Sequence, residues 1–204
     1  MDKLDNPDGP YAALILAKAG LLRLDFADRV TSDIVPPTLY HAVGQGALAI
    51  EIRANDAEAH QLCSALIHWQ TSWRCLAERA CLRVLEGGCS VPVGVHSELV
   101  PEPTSPDGDG GGGKGDVPRP ARLRLVGTIT AVDGSHHVER DIGHLVTSPD
   151  EAEDLGAEVA KELINIGGRK ILEEVAKDRE QRAAETEAQN VDTAVVGEKA
   201  PSSQ

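Results

Sequence analysis

Four places in the chain bring together residue types able to do chemistry. The first is Cys89, which directly follows Gly87-Gly88 and is separated by Ser90 alone from the apolar run Val91-Pro92-Val93. A double glycine stops a helix, because a left-handed C-terminal cap carries no Cβ penalty there. The thiol is therefore fixed in space without having to be buried. It is either a small buried hydrophobe or a nucleophile, and its activation is contested by its surroundings. The C-terminal end of a helix dipole disfavours a thiolate, whereas Arg79 and Arg83, one helical turn apart upstream, offset that effect. The second place is Ala42-Val-Gly-Gln-Gly-Ala47. Gly44 and Gly46 let the backbone adopt positive φ or approach a ligand closely beside Gln45, although a plain turn before a strand reads the same way. The third is Arg23, closing Leu16-Ala17-Lys18-Ala19-Gly20-Leu21-Leu22-Arg23. Its guanidinium is either solvated or suited to bidentate pairing with a carboxylate. The fourth is Arg79, which meets an anionic ligand or pairs with Glu78 or Glu86 on its own helix. The histidines form no such pattern: His136-His137 falls in a turn, and His41 merely adjoins the glycine pair.

These groups need elements to position them. Tyr11–Leu16 reads as a short buried strand and 17–24 as a short helix after it, a strand-to-helix unit of the α/β kind. Pro36-Pro37 breaks the chain, and 47–53 reads as a second strand. Asn55-Asp56 caps a helix running to about His68. A clearer helix follows, capped by Thr71 or Ser72, with Trp73, Leu76, Ala77, Ala80, Cys81 and Val84 at helical spacing. Residues 90–99, 121–131 and 137–146 read as strands, the last two joined through Asp133-Gly134-Ser135. Between the first two lies a Pro/Gly/Asp-rich insert, 101–120, whose composition cannot bury enough surface to order itself. Its Gly-Gly-Lys-Gly lacks the spacing and following helix of a nucleotide-binding loop. Ser148-Pro149-Asp150-Glu151 gives an N-cap, a first-turn proline and a capping-box glutamate. The helix it opens carries Leu155, Val159, Leu163 and Ile164 on one face, is interrupted at Gly167-Gly168, and resumes through Ile171, Leu172 and Val175. Residues 178–204 read as a disordered tail.

The expected architecture is a small α+β domain over 55–177, a three-stranded antiparallel sheet with helices on one face. Residues 1–54 precede it as part of something larger, because one helix and two strands leave too many sheet edges unpaired. Composition narrows the function classes. At 204 residues with 41% apolar but 2% aromatic content, the core must be aliphatic. A net charge of −13 argues against nucleic acid as a partner. No apolar run is long enough to span a membrane, and the acidic start Met-Asp-Lys-Leu-Asp resembles no signal or transit peptide. A cytoplasmic protein is expected. Four cysteines, none in a CxxC pair, give neither disulfides nor a metal site. Cys75 and Cys81, six residues apart, fall on different helix faces.

Glu86-Gly87-Gly88-Cys89-Ser90-Val91-Pro92-Val93 and Ala42–Ala47, with Ala77-Glu78-Arg79-Ala80 and the Leu16–Arg23 segment, resemble the porphobilinogen deaminase (hydroxymethylbilane synthase) family over about residues 3–177. The resemblance implies a transferase of haem biosynthesis that condenses four porphobilinogen units stepwise, with loss of ammonia, on a dipyrromethane cofactor. By resemblance Cys89 is the thioether attachment point. Gln45, Gly46, Arg23, Arg79 and the backbone of Leu16 and Ala17 surround cofactor and substrate. It also implies that residues 1–54 are the remnant of periplasmic-binding-protein-like cleft domains, including a strand that crosses between them. The family acts as a monomer. Its catalytic aspartate and a basic carboxylate-binding cluster lie in a first domain that nothing here matches, so no catalytic residue is assigned. The expectation is a chain inactive alone that associates with a separate N-terminal part. A non-catalytic binding or regulatory module keeping the same fold is the alternative.

Overall fold

The computed structural model describes residues 2–85, 91–103 and 117–182, in two units divided between Leu39 and Tyr40. The first unit holds two short helices, α1 (Asp2–Asp5) and α2 (Lys18–Arg23), and a 3-10 turn at Ala27–Arg29. Arg29 pairs with Asp5, and Lys18 with Asp33 at 2.6 Å. The helix expected over 17–24 is present, but the buried strand expected over Tyr11–Leu16 is not. That stretch is irregular, with Ile15 75% exposed. A strand is stable only as part of a ladder, and no described residue of this unit supplies a partner.

In the second unit the chain runs irregularly from Tyr40 to Asp56, then forms α3 (Ala57–Ser64), α4 (Trp69–Val84), β1 (Val93–Pro101), β2 (Ala121–Thr130), β3 (His137–Val146), α5 (Pro149–Leu163) and a last helix, α6, over 169–182. The strand expected over 47–53 is likewise absent. Its residues lie in open backbone with Leu48 95% exposed, for the same want of a pairing partner. α6 continues four residues past Asp178, where a tail was expected to begin; residues 183–204 lie outside the described part.

The sheet is antiparallel in the order β1-β2-β3, with Val93 opposite Ile129, Pro101 opposite Ala121 and Thr130 opposite His137. Asp133 accepts from the Ser135 N–H at 3.0 Å and Gly134 takes φ +71°, closing the β2–β3 turn where the sequence placed it. Where the insert leaves the sheet, the Glu102 N–H donates to the Pro120 carbonyl at 2.9 Å, one step beyond the last ladder pair. Residues 104–116 of the insert are outside the described part.

Period-two alternation puts Val95, Leu123, Leu125 and Ile129 on the inner face, where α4 and α5 cover them. α4 starts earlier than expected. His68 is its N-cap, its ring nitrogen accepting from the Thr71 N–H at 3.3 Å. The reason is Trp69, which extends the buried stripe Trp69–Trp73–Ala77–Cys81 back by one turn and stacks edge-to-face on Trp73, ring centroids 4.9 Å apart. Ser148 caps α5 by accepting from the Glu151 N–H. The Glu151 carboxylate reaches back to the Thr147 N–H at 2.6 Å, one residue earlier than in a standard capping box. α4 and α5 meet at Gly156, where a Cβ would stand 2.0 Å from the Ala77 carbonyl oxygen. Gly167, at φ +117°, turns the chain from α5 into α6.

The outer face is mostly polar over β1 and β3, with Val100 and Leu145 exposed on it, and Tyr40 crosses it. His41 makes a two-way backbone bridge to Val95 at the free edge of β1 (3.1 and 2.8 Å). Tyr40 then lies over Gly94 and Thr128, and its hydroxyl donates to Glu139 of β3 at 2.7 Å. A Cβ on Gly94 would come within 2.5 Å of the Tyr40 Cβ, so the glycine is what admits the ring. Burial first, then the Glu139 hydrogen bond, pushes the Tyr40 phenol up to about 12. A raised phenol pKa favours folding fully below the ordinary value near 10 and loses that contribution as pH climbs from there through about 12. An ultraviolet phenolate titration should therefore show a phase near pH 12. Tyr40→Phe should remove it; a phase that survives the substitution belongs to another group.

Candidate functional site

The glycine pair forms two tight, successive turns. The Gln45 N–H donates to the Ala42 carbonyl and the Ala47 N–H to the Gly44 carbonyl. Gly44 sits at φ +70° and Gly46 at φ +85°, which L side chains rarely adopt, and none of the described residues lies within 4 Å of where either Cβ would stand. Among the described residues, the side of the turn where side chains would stand is thus open. From there 47–52 runs along one wall of a groove of about 1040 Å³ whose other walls are α3 and the outward side of α4. Gly44, Gly46, His68, Cys75, Arg79 and Arg83 line it beside apolar residues that include Leu48, Ile50, Leu66 and Ile67.

Two cations stand one turn apart on α4, as the sequence placed them, and they differ in state. Arg83 is paired with Glu153 of α5 at 2.6 Å. Arg79 is exposed and has no carboxylate partner among the described residues. Its neighbour Glu78 turns the other way. It is only 8% exposed and accepts from the Gly44 N–H at 2.7 Å and from the Ser97 hydroxyl at 2.5 Å. The open choice at Arg79 is thereby narrowed: it does not pair with Glu78, and Glu86 lies outside the described residues.

The structure brings Gly46 and Arg79 together at the groove and leaves the Gln45 side chain exposed on the turn between the glycines. Leu16, Ala17 and Arg23 belong to the first unit. There Leu16 is 52% exposed, Ala17 is the N-cap of α2 with its carbonyl accepting from Gly20 and Leu21, and Arg23 ends the helix. Cys89 lies outside the described residues. Of the other cysteines, Cys81 is buried in the core and Cys75 borders the groove, as different helix faces require. Burial raises both thiols, Cys81 to about 12, so neither is a ready nucleophile. Among the described residues no cluster of His, Cys, Asp or Glu has the makings of a metal site, and no helix is long and apolar enough to cross a membrane.

Sequence reasoning missed Glu78, Ser97 and Arg74 as a linked set, and Tyr40. A signal for Glu78 was present: it is a carboxylate flanked by Ala77 and Ala80-Cys81 on an otherwise apolar helix face, where a charge persists only with partners.

A three-stranded antiparallel sheet backed by helices, with a glycine turn bordering a groove that Arg79 also lines, defines a small α+β domain. Comparison with known proteins identifies the family. The family model for the porphobilinogen deaminase C-terminal domain matches residues 72–165, and that for the porphobilinogen deaminase dipyromethane cofactor binding domain matches residues 1–61. Similar proteins include the porphobilinogen deaminases of Schizosaccharomyces pombe (38% identical, covering 91% of this chain and 49% of the relative), Saccharomyces cerevisiae (37%, 88% and 50%) and Synechococcus elongatus (43%, 85% and 47%). The chain belongs to the porphobilinogen deaminase family. It spans about half the length of the curated relatives it matches. The residues present fit the family's dipyrromethane group. Among the described residues, open space stands where the glycine side chains would be and no carboxylate pairs with Arg79, whose guanidinium suits a carboxylate-bearing ligand.

Proposed function

We propose that this chain is the cofactor-bearing C-terminal portion of a hydroxymethylbilane synthase, a cytoplasmic transferase that condenses four porphobilinogen units with loss of ammonia. The observation that carries the reading is the bare Gly44–Gly46 turn facing the Arg79 groove. In this reading Cys89 offers its thiol as the attachment point. When bound, the dipyrromethane supplies the pyrrole carbon onto which substrate units are joined. Gly46 lets the backbone approach the ligand without a side chain intervening, and Gln45 offers an amide from the crest of the turn. Arg79 pairs ligand carboxylates at the groove, where a guanidinium can bind a carboxylate through two parallel hydrogen bonds. In the first unit, Arg23 is the other guanidinium suited to a carboxylate, beside the backbone of Leu16 and Ala17.

Residues 1–54 serve as a remnant of periplasmic-binding-protein-like cleft domains, 55–177 as the cofactor-attachment domain and 178–204 as a tail. The exposed, ladder-less stretches 11–16 and 47–53 support this, since both have strand-like composition and lack partners. In this reading the strands that would pair with 11–16 and 47–53, the catalytic aspartate and the basic cluster belong to the half of the relatives' length that these 204 residues do not match. Residues 1–204 without that half should release no ammonia from porphobilinogen.

The test is intact mass together with acidic Ehrlich reagent. Coexpressed with the N-terminal half of the Schizosaccharomyces pombe relative, the chain should gain the mass of one dipyrromethane and stain, and Cys89→Ser should do neither. A mass gain that persists in Cys89→Ser overturns the attachment, and ammonia release by the chain alone overturns its dependence on a partner.

A further inference from the structure

We infer that Glu78 is a positioning residue for the Gly44–Ala47 turn, setting the backbone that the groove presents to its ligand; the ligand half of this inference rests on the function proposed above. The geometry is closed on both carboxylate oxygens. Oε2 accepts from the Gly44 N–H at 2.7 Å and Oε1 from the Ser97 hydroxyl at 2.5 Å, while Ser97 Oγ accepts from Arg74 Nε at 2.9 Å. Glu78 and Ser97 are 8% and 2% exposed, so the set is shielded from water. Rotating the carboxylate to release either bond breaks the other.

Bulk stability does not explain a carboxylate here. A buried ionic set is often matched or exceeded by apolar side chains of similar volume. What the carboxylate adds is direction. The chain is held upstream by the His41–Val95 bridge, and downstream of Ala47 it runs exposed along the groove. Val43 packs on the core, and the Gly44 bond is the hydrogen bond that ties the turn itself to α4. Because Arg79 is the next residue on the same helix, one helical turn both fixes the glycine backbone and presents the guanidinium across from it. The spacing between those two ligand-facing groups is therefore set by Glu78. Neither glycine resists displacement by itself, since both have open space around them.

The test uses the purified full chain, labelled with ¹⁵N. In Glu78→Ala the Gly44 amide should exchange about tenfold to a hundredfold faster relative to the β2 ladder amides, as expected when a buried hydrogen bond to a charged acceptor is lost. Glu78→Gln keeps a carbonyl for Gly44 and gives Ser97 an amide donor, so it should restore protection to within about threefold. Should Glu78→Ala fail to fold, Ser97→Ala loosens the same carboxylate from one side and should raise Gly44 exchange selectively by about threefold or more.

Titration with porphobilinogen as probe reads the ligand half. Amide shifts at Gly44, Gln45 and Gly46 should saturate in the wild type and in Glu78→Gln, and at several-fold higher concentration in Glu78→Ala or Ser97→Ala. Gly44 exchange that merely tracks the β2 amides in every variant overturns the positioning role. Selective Gly44 exchange without any porphobilinogen shift in the wild type upholds the positioning of the turn and overturns the ligand reading.

Discussion

Replacing Trp73 with alanine should cost the second unit about 4 kcal/mol, the range for emptying a large aromatic site. Trp73 is 2% exposed at the centre of the α4 stripe, and its ring meets Trp69 edge-to-face at 4.9 Å. The substitution removes both the buried area and that contact, and two helices pinned on one sheet cannot close the cavity. The measurement is urea unfolding followed by far-ultraviolet circular dichroism. The chain has two tryptophans, both in this pair, so emission from the remaining Trp69 reports on the site as well. Trp73→Phe, which keeps an aromatic edge, should lose about half as much. A loss under about 1 kcal/mol in Trp73→Ala would mean that the pair lies outside the cooperative core.

Gly156→Ala should cost about 3 kcal/mol and lower the melting temperature by roughly 10 °C. The sign is what makes this informative. In an isolated helix alanine is better than glycine by about 1 kcal/mol, so propensity predicts a gain. The crossing inverts it, because the new Cβ would stand 2.0 Å from the Ala77 carbonyl oxygen and 2.8 Å from its carbon. Backbone cannot yield as a side chain can, so α4 and α5 must separate along a contact that carries much of the core. Gly20→Ala in α2 is the matched control. It has nothing within 4 Å and no positive φ, and it should be neutral or gain up to about 1 kcal/mol. If Gly156→Ala also proves neutral, the two helices do not approach as described.

The C-terminal half of the fold was legible in the sequence for a physical reason. The apolar stripe of α4, the alternation in β2 and the Ser148-Pro149 start of α5 each declare an element whose partners lie within the same 90 residues or so. The two misread strands, 11–16 and 47–53, show the converse. Composition registers that a segment suits a sheet, whereas a strand exists only when a second segment completes its hydrogen bonds. The start of α4 was misplaced because Trp69 was not counted into the stripe, and a histidine side chain is an uncommon N-cap. At the site, the positive-φ turn at Gly44 and Gly46 and the outward placement of Arg79 were readable from residue type and spacing. The burial of Glu78 was signalled by its apolar flanks, but its partners were not, because Gly44 and Ser97 lie 34 and 19 residues away in sequence.

The pairing of Pro101 with Ala121, extended one step by Glu102 and Pro120, acts as a clasp on the β1–β2 hairpin. With strand register already closed at the clasp, adding residues to the connection across it costs chiefly the entropy of joining the two ends. That quantity grows only logarithmically, by about 0.6 kcal/mol for each doubling of length. The insert is therefore a place where evolution is free to lengthen or shorten the protein at small thermodynamic cost. By the same token it is where an affinity handle or a spectroscopic label is best spliced, since the clasp insulates the sheet from whatever is threaded through it.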